Sequence, residues 1–533
     1  MNTSTSMLAN YNLANFVYEQ AVANPSQVAV VFENQKLTYW ELALRADQLA
    51  KRLVHDQHWQ IPTNRLPRVG ILASRNATAC IAVNAACWAG ATYIPLGLKQ
   101  PPDRIAAILQ QCDFSALILD DEGQQLLSED LLKHCPPIIL HTDTDAPAQG
   151  DRPVDASILN MPARIRAEDT AYIIFTSGTT GVPKGVMINA GSVHHYISTM
   201  TQLLQLKNED RITETCELSF DVSIHNMFTT WKAGAQLHII PAAQAMNAVK
   251  FVQQAKITVW NSVPSMVGIL RQIKALAANS MPTVRLSVFG GDQLPLRTVV
   301  DWKIAAPNSS VVNLYGPTEA TVFCMWQNNL DVGDVTPGRE IMTIGVPLPG
   351  NQASIMDAHG EEVPADTPGE LWIAGDQLSD GYVNAVELSL QQFPTVNGQR
   401  WYKTGDVATK DSKGLYHYLG RMDNQIKVLG HRVELEEIDA HLRKATGSDL
   451  VGSVAWPVIE GMAVGVVSFV CGSQVDTSLA TQKLKKNLPA YMLPSRIIEL
   501  TNMPCNANGK VDRKALKALL ESPKFAMNTH GHR

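Results

Sequence analysis

The sequence predicts an α/β protein: a large N-terminal region of two α/β halves plus a small β subdomain, followed by a small α+β domain on a hinge. Three observations support this class. Short apolar runs alternate with helical patterns from Val28 to about Thr343, the arrangement of largely parallel sheets. From Thr343 the texture changes, with frequent Pro and Gly and shorter strand-like runs. After the polar stretch Gly420 to Asn424, strands and helices recur densely enough for a domain of their own. The expected division is residues 1–422 for the large region and 423–533 for the small one.

In chain order, Asn12 to Ala23 has helical spacing of Leu13, Phe16, Val17 and Ala21, and Val28 to Phe32 is a short strand. Thr38 is a plausible N-cap with Glu41 at the capping-box offset, and Leu42, Leu49 and Leu53 would face the core. Arg68 to Leu72 reads as a buried parallel strand with the small-residue helix Ala77 to Ala89 packed on it. Gly90 to Leu96, Ala116 to Leu119 and Ile138 to Leu140 continue the alternation, and the Asp-, Pro- and Ala-rich stretch Thr142 to Pro153 reads as a bridge between the halves. Ala171 to Phe175 and Val186 to Ile188 are strands, and Gly191 to Leu206 is a helix. Leu237 to Ile240, Ile257 to Trp260 and Arg285 to Phe289 are further strands. The short strands Ala353 to Met356, Glu370 to Ala374 and Gly414 to Tyr418 form the β subdomain. Gln425 to Val428, a helix from Glu434 to Ala445, strands at Gly452 to Ala455 and Ala463 to Val470, and a helix from Leu479 to Asn487 complete the small domain.

Composition narrows the function. With 533 residues, 45% of them apolar, the chain is an ordinary globular protein. Lys plus Arg number 44 against 50 Asp plus Glu, and a net charge of -6 argues against nucleic-acid or anionic-membrane partners. The 8 cysteines include no C-x-x-C pair, so they read as small buried hydrophobes rather than zinc ligands. No signal peptide and no bilayer-length apolar run is visible, and a cytoplasmic protein is expected.

The densest chemical signal is Thr176 to Gly185, TSGTTGVPKG, directly after a buried strand. Hydroxyls, glycines and a lysine there can wrap an anion with backbone N–H groups. The spacing fits neither a Walker A loop nor a dinucleotide fingerprint, which leaves a polyphosphate site of another type. Asn313 to Glu319 places a Gly-Pro turn at a strand end, with Tyr315 able to stack on a base and Glu319 able to ligate Mg²⁺. Tyr402 to Asp406 is a second polar turn, whose Asp can accept from ribose hydroxyls. Asn508-Gly509 would put Lys510 at a loop tip. Asp221, beside the apolar stripe Phe220, Ile224, Met227 and Phe228, either caps a helix or pairs with a substrate ammonium; both roles stand open on local sequence. Gly375-Asp376-Gln377 reads as a turn, and Glu436 and Glu437 read as helix-surface carboxylates.

Taken in order, TSGTTGVPKG, NLYGPTEATVF, GELWIAGDQLSDGYVN, YKTGD, GRMDNQIKVLGHRVELEEID, LPAYMLP and NGKVDR cover nearly the whole chain. Together they resemble the adenylate-forming superfamily of acyl-CoA synthetases, luciferases and nonribosomal peptide synthetase adenylation domains. The last three motifs are similar to those of amino-acid adenylation domains. The resemblance implies two steps. A carboxylate attacks ATP·Mg²⁺ to give an acyl-adenylate and pyrophosphate, and a carrier protein's phosphopantetheine thiol then takes the acyl group. It implies an enzyme, with an organic-acid CoA ligase or a non-catalytic binding module as the alternatives.

By motif, Thr176, Ser177, Gly178, Thr179, Thr180 and Lys184 would hold the β- and γ-phosphates. Asn313, Tyr315, Gly316 and Gly291 would border the adenine, Thr318 the α-phosphate and Glu319 the Mg²⁺. Asp406, Tyr418 and Arg421 would surround the ribose, Lys510 would be the catalytic cation, and Asp423 the hinge. Asp221 would bind the substrate ammonium in a pocket of Val222, His225, Ser262, Val288, Gly290, Leu314, Val322 and Phe323, with His225 and Ser262 as its polar members. These side chains imply a small or medium, largely uncharged amino acid. The sequence departs from the usual pattern at Gly97-Leu98-Lys99, Asn189-Ala190-Gly191 and Gly290-Gly291-Asp292. Since no carrier or condensation segment is visible, a stand-alone ligase loading a carrier in trans is expected. Lys483, Lys485 and Lys486 would meet an acidic carrier surface.

Overall fold

The computed structural model of the chain describes residues 9–142, 158–178, 182–471, 475–506 and 511–522. It divides into two compact units. The first comprises Met1–Leu98, Leu109–Phe175 and Gly185–Gly420; the second comprises Lys99–Ile108, Thr176–Lys184 and Arg421–Arg533. The predicted mixed α/β class is what the structure has. The bridge read at Thr142 to Pro153 lies, apart from Thr142, outside the described residues.

A nine-stranded sheet dominates the first unit. Its order is Val346–Pro347, Met325–Gln327, Ser310–Tyr315, Leu286–Gly290, Val259–Ser262, Arg211–Glu214, Gln236–Ile239, Val28–Phe32 and Gln35–Thr38. Every pairing from Ser310–Tyr315 to Val28–Phe32 is parallel, as crossover helices require. The outer pairings are antiparallel and close both sides as hairpin-like additions. A seven-stranded sheet has the parallel run Thr92–Pro95, Arg68–Leu72, Ala116–Leu119 and Ile138–His141. The short strands after Thr343 form an antiparallel sheet of Asn351–Met356, Gly369–Gly375, Tyr402–Lys410 and Tyr416–Arg421.

Local chemistry sets several boundaries. Thr38 makes the expected capping box with Glu41 and starts helix Tyr39–Val54, whose Leu42, Leu49 and Leu53 are buried. Helix Ala77–Trp88 is buried on all sides, which is why its small residues show no amphipathic stripe. Gly420 and Arg421 belong to the strand Tyr416–Arg421, so the polar stretch read as a hinge begins inside a strand.

In the second unit, Gln425–Val428 pairs with His431–Glu434, and Val451–Ala455, Val466–Cys471 and Arg496–Leu500 form a three-stranded sheet. Helices Leu435–Thr446 and Thr477–Asn487 share a core with these strands through Ile438, Leu442, Ala480 and Leu484. No helix among the described residues is long and apolar enough to cross a membrane.

Candidate active site

Strand Ser310–Tyr315 ends at the turn that the sequence singled out. A Cβ on Gly316 would lie 2.5 Å from the Val322 carbonyl oxygen, so only glycine lets the chain double back there. The returning segment places Thr318 and Glu319 in a 3-10 turn and holds Thr321 and Val322 at φ of 54° and 67°. For β-branched residues that left-handed backbone is costly, and it persists only where surrounding contacts enforce it. Glu319 is buried, and Tyr382 donates its hydroxyl to Glu319 Oε1 at 3.0 Å.

The residues expected around a nucleotide come together from distant parts of the chain. Tyr315 donates its phenol to Asp406 Oδ2. The Asp406 N–H donates to Thr404 Oγ1 at 3.0 Å within the strand Tyr402–Lys410, where the sequence reads a turn; the pairing with Gly369–Gly375 is irregular here, which accounts for the turn-like signal. Asn313 donates from Nδ2 to the Thr343 carbonyl at 2.8 Å, while its buried Oδ1 has no hydrogen-bond partner among the described residues. A buried unmatched acceptor is costly. It suits an exocyclic amino group, so the residues present fit an adenine. Tyr418 packs on the main core and its carbonyl accepts from Arg339 at 3.4 Å. Gly291 takes φ of 84° just after the strand Leu286–Gly290.

The expected acid pocket lies in the same unit. Asp221 stands at the N-cap position of helix Val222–Lys232, and its side chain makes no capping hydrogen bond there. Burial first, then the nearby charge of Asp221, raises the phenols of Tyr172 and Tyr196 well above their ordinary range. Tyr196 is hydrogen-bonded at 2.7 Å to His225 Nδ1, and burial drives the His225 pKa down to about 3. The imidazole is therefore neutral at physiological pH and brings no cation to the pocket. Phe323 stands edge-on to His225 at 5.8 Å, and a Cβ on Gly290 would approach the Phe323 ring to 2.5 Å. Val288, Leu314 and Val322 are buried beside them, and Val222 packs against this core. The Ser262 hydroxyl is already engaged, accepting from Trp260 Nε1 at 2.8 Å and donating to the Val263 carbonyl at 3.1 Å.

Sequence reasoning missed a buried polar chain behind this pocket. Asn261 Nδ2 donates to Asn226 Oδ1 at 2.9 Å, and Asn226 Nδ2 donates to Glu214 Oε1 at 2.9 Å. The polar residues that end the strands Val259–Ser262 and Arg211–Glu214 carried no pattern that marks them as buried.

In the second unit, Ser177 donates its hydroxyl to the Arg432 carbonyl at 3.1 Å, and the Gly178 N–H donates to Glu437 Oε2 at 3.1 Å. Glu437 is fully buried and paired with Arg104, contrary to its reading as a helix-surface carboxylate. The partner that makes burial tolerable is 333 positions away and invisible to local pattern. Lys184 lies close enough to Glu434 to oppose the effect of burial, which raises that carboxyl. Burial pushes the Asp423 carboxyl up, but the Arg421 bonds of 2.7 and 2.6 Å, the charges of Arg421 and Arg432 and the Gln425 N–H together hold it below its usual range. Thr179, Thr180 and Lys510 lie outside the described residues. Among the described residues, no group of three or more His, Cys, Asp or Glu could hold a metal ion. A single carboxylate such as Glu319 is the protein contribution that Mg²⁺ commonly needs when phosphates supply the other ligands.

Comparison with known proteins identifies the family of the chain. The AMP-binding enzyme family matches residues 17–383. Gramicidin S synthase 1 of Brevibacillus brevis is 33% identical over 506 residues, covering 93% of this chain and 43% of that protein. Tyrocidine synthase 3 of Brevibacillus parabrevis is 30% identical over 528 residues, covering 97% of this chain and 8% of that protein. This chain therefore spans less than half of either. The crystal structure of the Vibrio cholerae adenylation domain AlmE, in complex with glycyl-adenosine-5'-phosphate, superposes with a TM-score of 0.83 at 28% identity. That match covers 98% of this chain and 100% of AlmE.

Proposed function

The chain belongs to the AMP-binding enzyme family, of the adenylate-forming type, and from that premise we propose that it activates a small or medium, largely uncharged amino acid as its aminoacyl-adenylate. The observation that carries this reading is Asp221, a carboxylate beside a buried, uncharged pocket with no capping bond to its helix. A substrate ammonium is the group such a carboxylate recognises. Neutral His225 and the closely set Phe323 and Gly290 support a substrate without charge or great bulk. The glycyl adenylate bound by AlmE is consistent with that size.

In the proposed first step, a substrate carboxylate oxygen forms a bond to the α-phosphorus of ATP and the bond to the β-phosphate bridging oxygen breaks, releasing pyrophosphate. Asn313 and Tyr315 hold the adenine, Asp406 the ribose, and Thr318 the α-phosphate. Thr176, Ser177, Gly178, Thr179, Thr180 and Lys184 receive the leaving pyrophosphate. Glu319 would hold Mg²⁺, whose charge would offset that of the phosphates. Lys510 stabilises negative charge as attack proceeds. In the second step, a phosphopantetheine thiol on a carrier protein forms the C–S bond, the acyl–phosphate C–O bond breaks, AMP leaves and the thiol proton passes to solvent. Asp423 serves as the pivot between the two steps.

Pyrophosphate exchange across the amino acids tests the reading. Exchange is expected with one or a few small uncharged amino acids and is expected to fall by at least 100-fold in Lys510→Ala. Exchange with aryl or fatty acids alone would overturn it, and transfer to free CoA in preference to a phosphopantetheinylated carrier would remove the second step. Tyr315→Phe, which removes the bond to Asp406, should raise the KM for ATP about tenfold and leave the amino-acid KM within twofold.

A further inference from the structure

Gln377, which the sequence presents as part of a turn, is fully buried. Its Nε2 donates to the carbonyls of Phe323, Thr321 and Ala320 at 2.7, 3.2 and 3.3 Å. Asn351 Nδ2 donates to Gln377 Oε1 at 2.6 Å, which fixes the orientation of the amide. In return Thr321 Oγ1 donates to the Gln377 carbonyl at 2.6 Å. One side chain thus satisfies the backbone of the stretch that holds Thr321 and Val322 in left-handed conformations. Further along the same segment, the Ser379 N–H donates to the Glu319 carbonyl at 2.9 Å.

We propose that Gln377 is a positioning residue for the amino-acid site, its carboxamide fixing the wall that Val322 and Phe323 present to the substrate. The inference rests on the reading of that pocket given above. Three carbonyls released together leave the Thr321–Phe323 backbone without the bonds that offset its strain, and Phe323 then no longer holds its place against His225 and Gly290. The nucleotide residues Asn313 and Asp406 take their bonds from Thr343, Thr404 and Tyr315, none of which contacts the Gln377 carboxamide through a hydrogen bond. Acid recognition therefore separates from the adenine and ribose contacts, whereas Thr318 and Glu319 adjoin the clamped stretch.

Amide hydrogen exchange on the substrate-free full chain reads the clamp without reference to activity. In Gln377→Leu, the peptide covering Thr318 to Cys324 is expected to exchange about tenfold faster, with helix Ala190–Leu203 unchanged. In pyrophosphate exchange, the same variant should raise the KM of the accepted acid about tenfold, broaden the range of acids taken and raise the ATP KM less, by no more than about threefold, since only Thr318 and Glu319 of the nucleotide residues adjoin the clamp. Asn351→Ala keeps the buried glutamine but releases its amide, and should move both readouts in the same direction by about threefold. It carries the test if Gln377→Leu does not fold. Unchanged exchange at Thr318 to Cys324, or equal losses for acid and ATP, would overturn the proposal. If the wild-type chain activates only acids without an amino group, the amino-acid reading fails, while hydrogen exchange and the KM split for that acid still decide the role of Gln377.

Discussion

Asp221→Ala is expected to lower kcat/KM for the amino acid by roughly 100-fold while the KM for ATP stays within twofold. A charge-assisted hydrogen bond in a buried site is worth about 1.5–3 kcal/mol, and each 1.4 kcal/mol is about tenfold in rate or affinity. The helix that Asp221 precedes draws no capping bond from it, so the loss should appear in recognition of the acid rather than in helix formation. The wild-type protein should also discriminate strongly against the same acid lacking its amino group, and Asp221→Ala should lose most of that discrimination. Equal effects on amino and des-amino acids would show that the carboxylate does something other than bind an ammonium.

The second large effect concerns stability. Glu214 is buried, accepts from the Cys216 N–H at 2.6 Å and from Asn226, and leaves Oε2 without a hydrogen-bond partner among the described residues. Burial raises its carboxyl from 4.5 to about 7, against the opposing pull of those hydrogen bonds. The folded chain therefore binds a proton more tightly than the unfolded chain. The stabilisation this confers is full below pH 4.5 and is lost as pH rises through 7. At pH 8.5 the ionised group has forfeited roughly 3 kcal/mol, the shift converted at about 1.36 kcal/mol per unit. Glu214→Gln has no proton to lose and can keep the acceptor used by Cys216 and Asn226. In urea denaturation it should be more stable than wild type at pH 8.5 by up to that amount, with a difference that shrinks steadily toward pH 5. A pH-independent difference would mean that Glu214 is not protonated in the folded chain below neutrality.

Much of the fold was legible because the relevant signals are local. The Thr38–Glu41 box, the apolar run before the phosphate loop and the thinning of strands after Thr343 depend on neighbours a few positions apart. Sheet order was not legible, since Val28–Phe32 pairs with Gln236–Ile239 some two hundred positions later. The proposed nucleotide residues stand out by motif, yet the bond between Tyr315 and Asp406 needed the folded chain to appear. Glu437 reads from sequence as a surface carboxylate and Gln377 as part of a turn, and Glu214 gives no local signal. All three are buried because Arg104, the Ala320–Phe323 carbonyls and Asn226 supply partners inside the protein.

The ends of the nine-stranded sheet carry one more consequence. One border is the two-residue strand Val346–Pro347, where proline offers no N–H to an incoming strand. The other is the four-residue strand Gln35–Thr38, with Lys36 exposed on it. A short proline-bearing border and a charged one are poor templates for strand addition. Copies of this chain crowded together during synthesis thus meet no long open ladder on this sheet from which a fibre could grow.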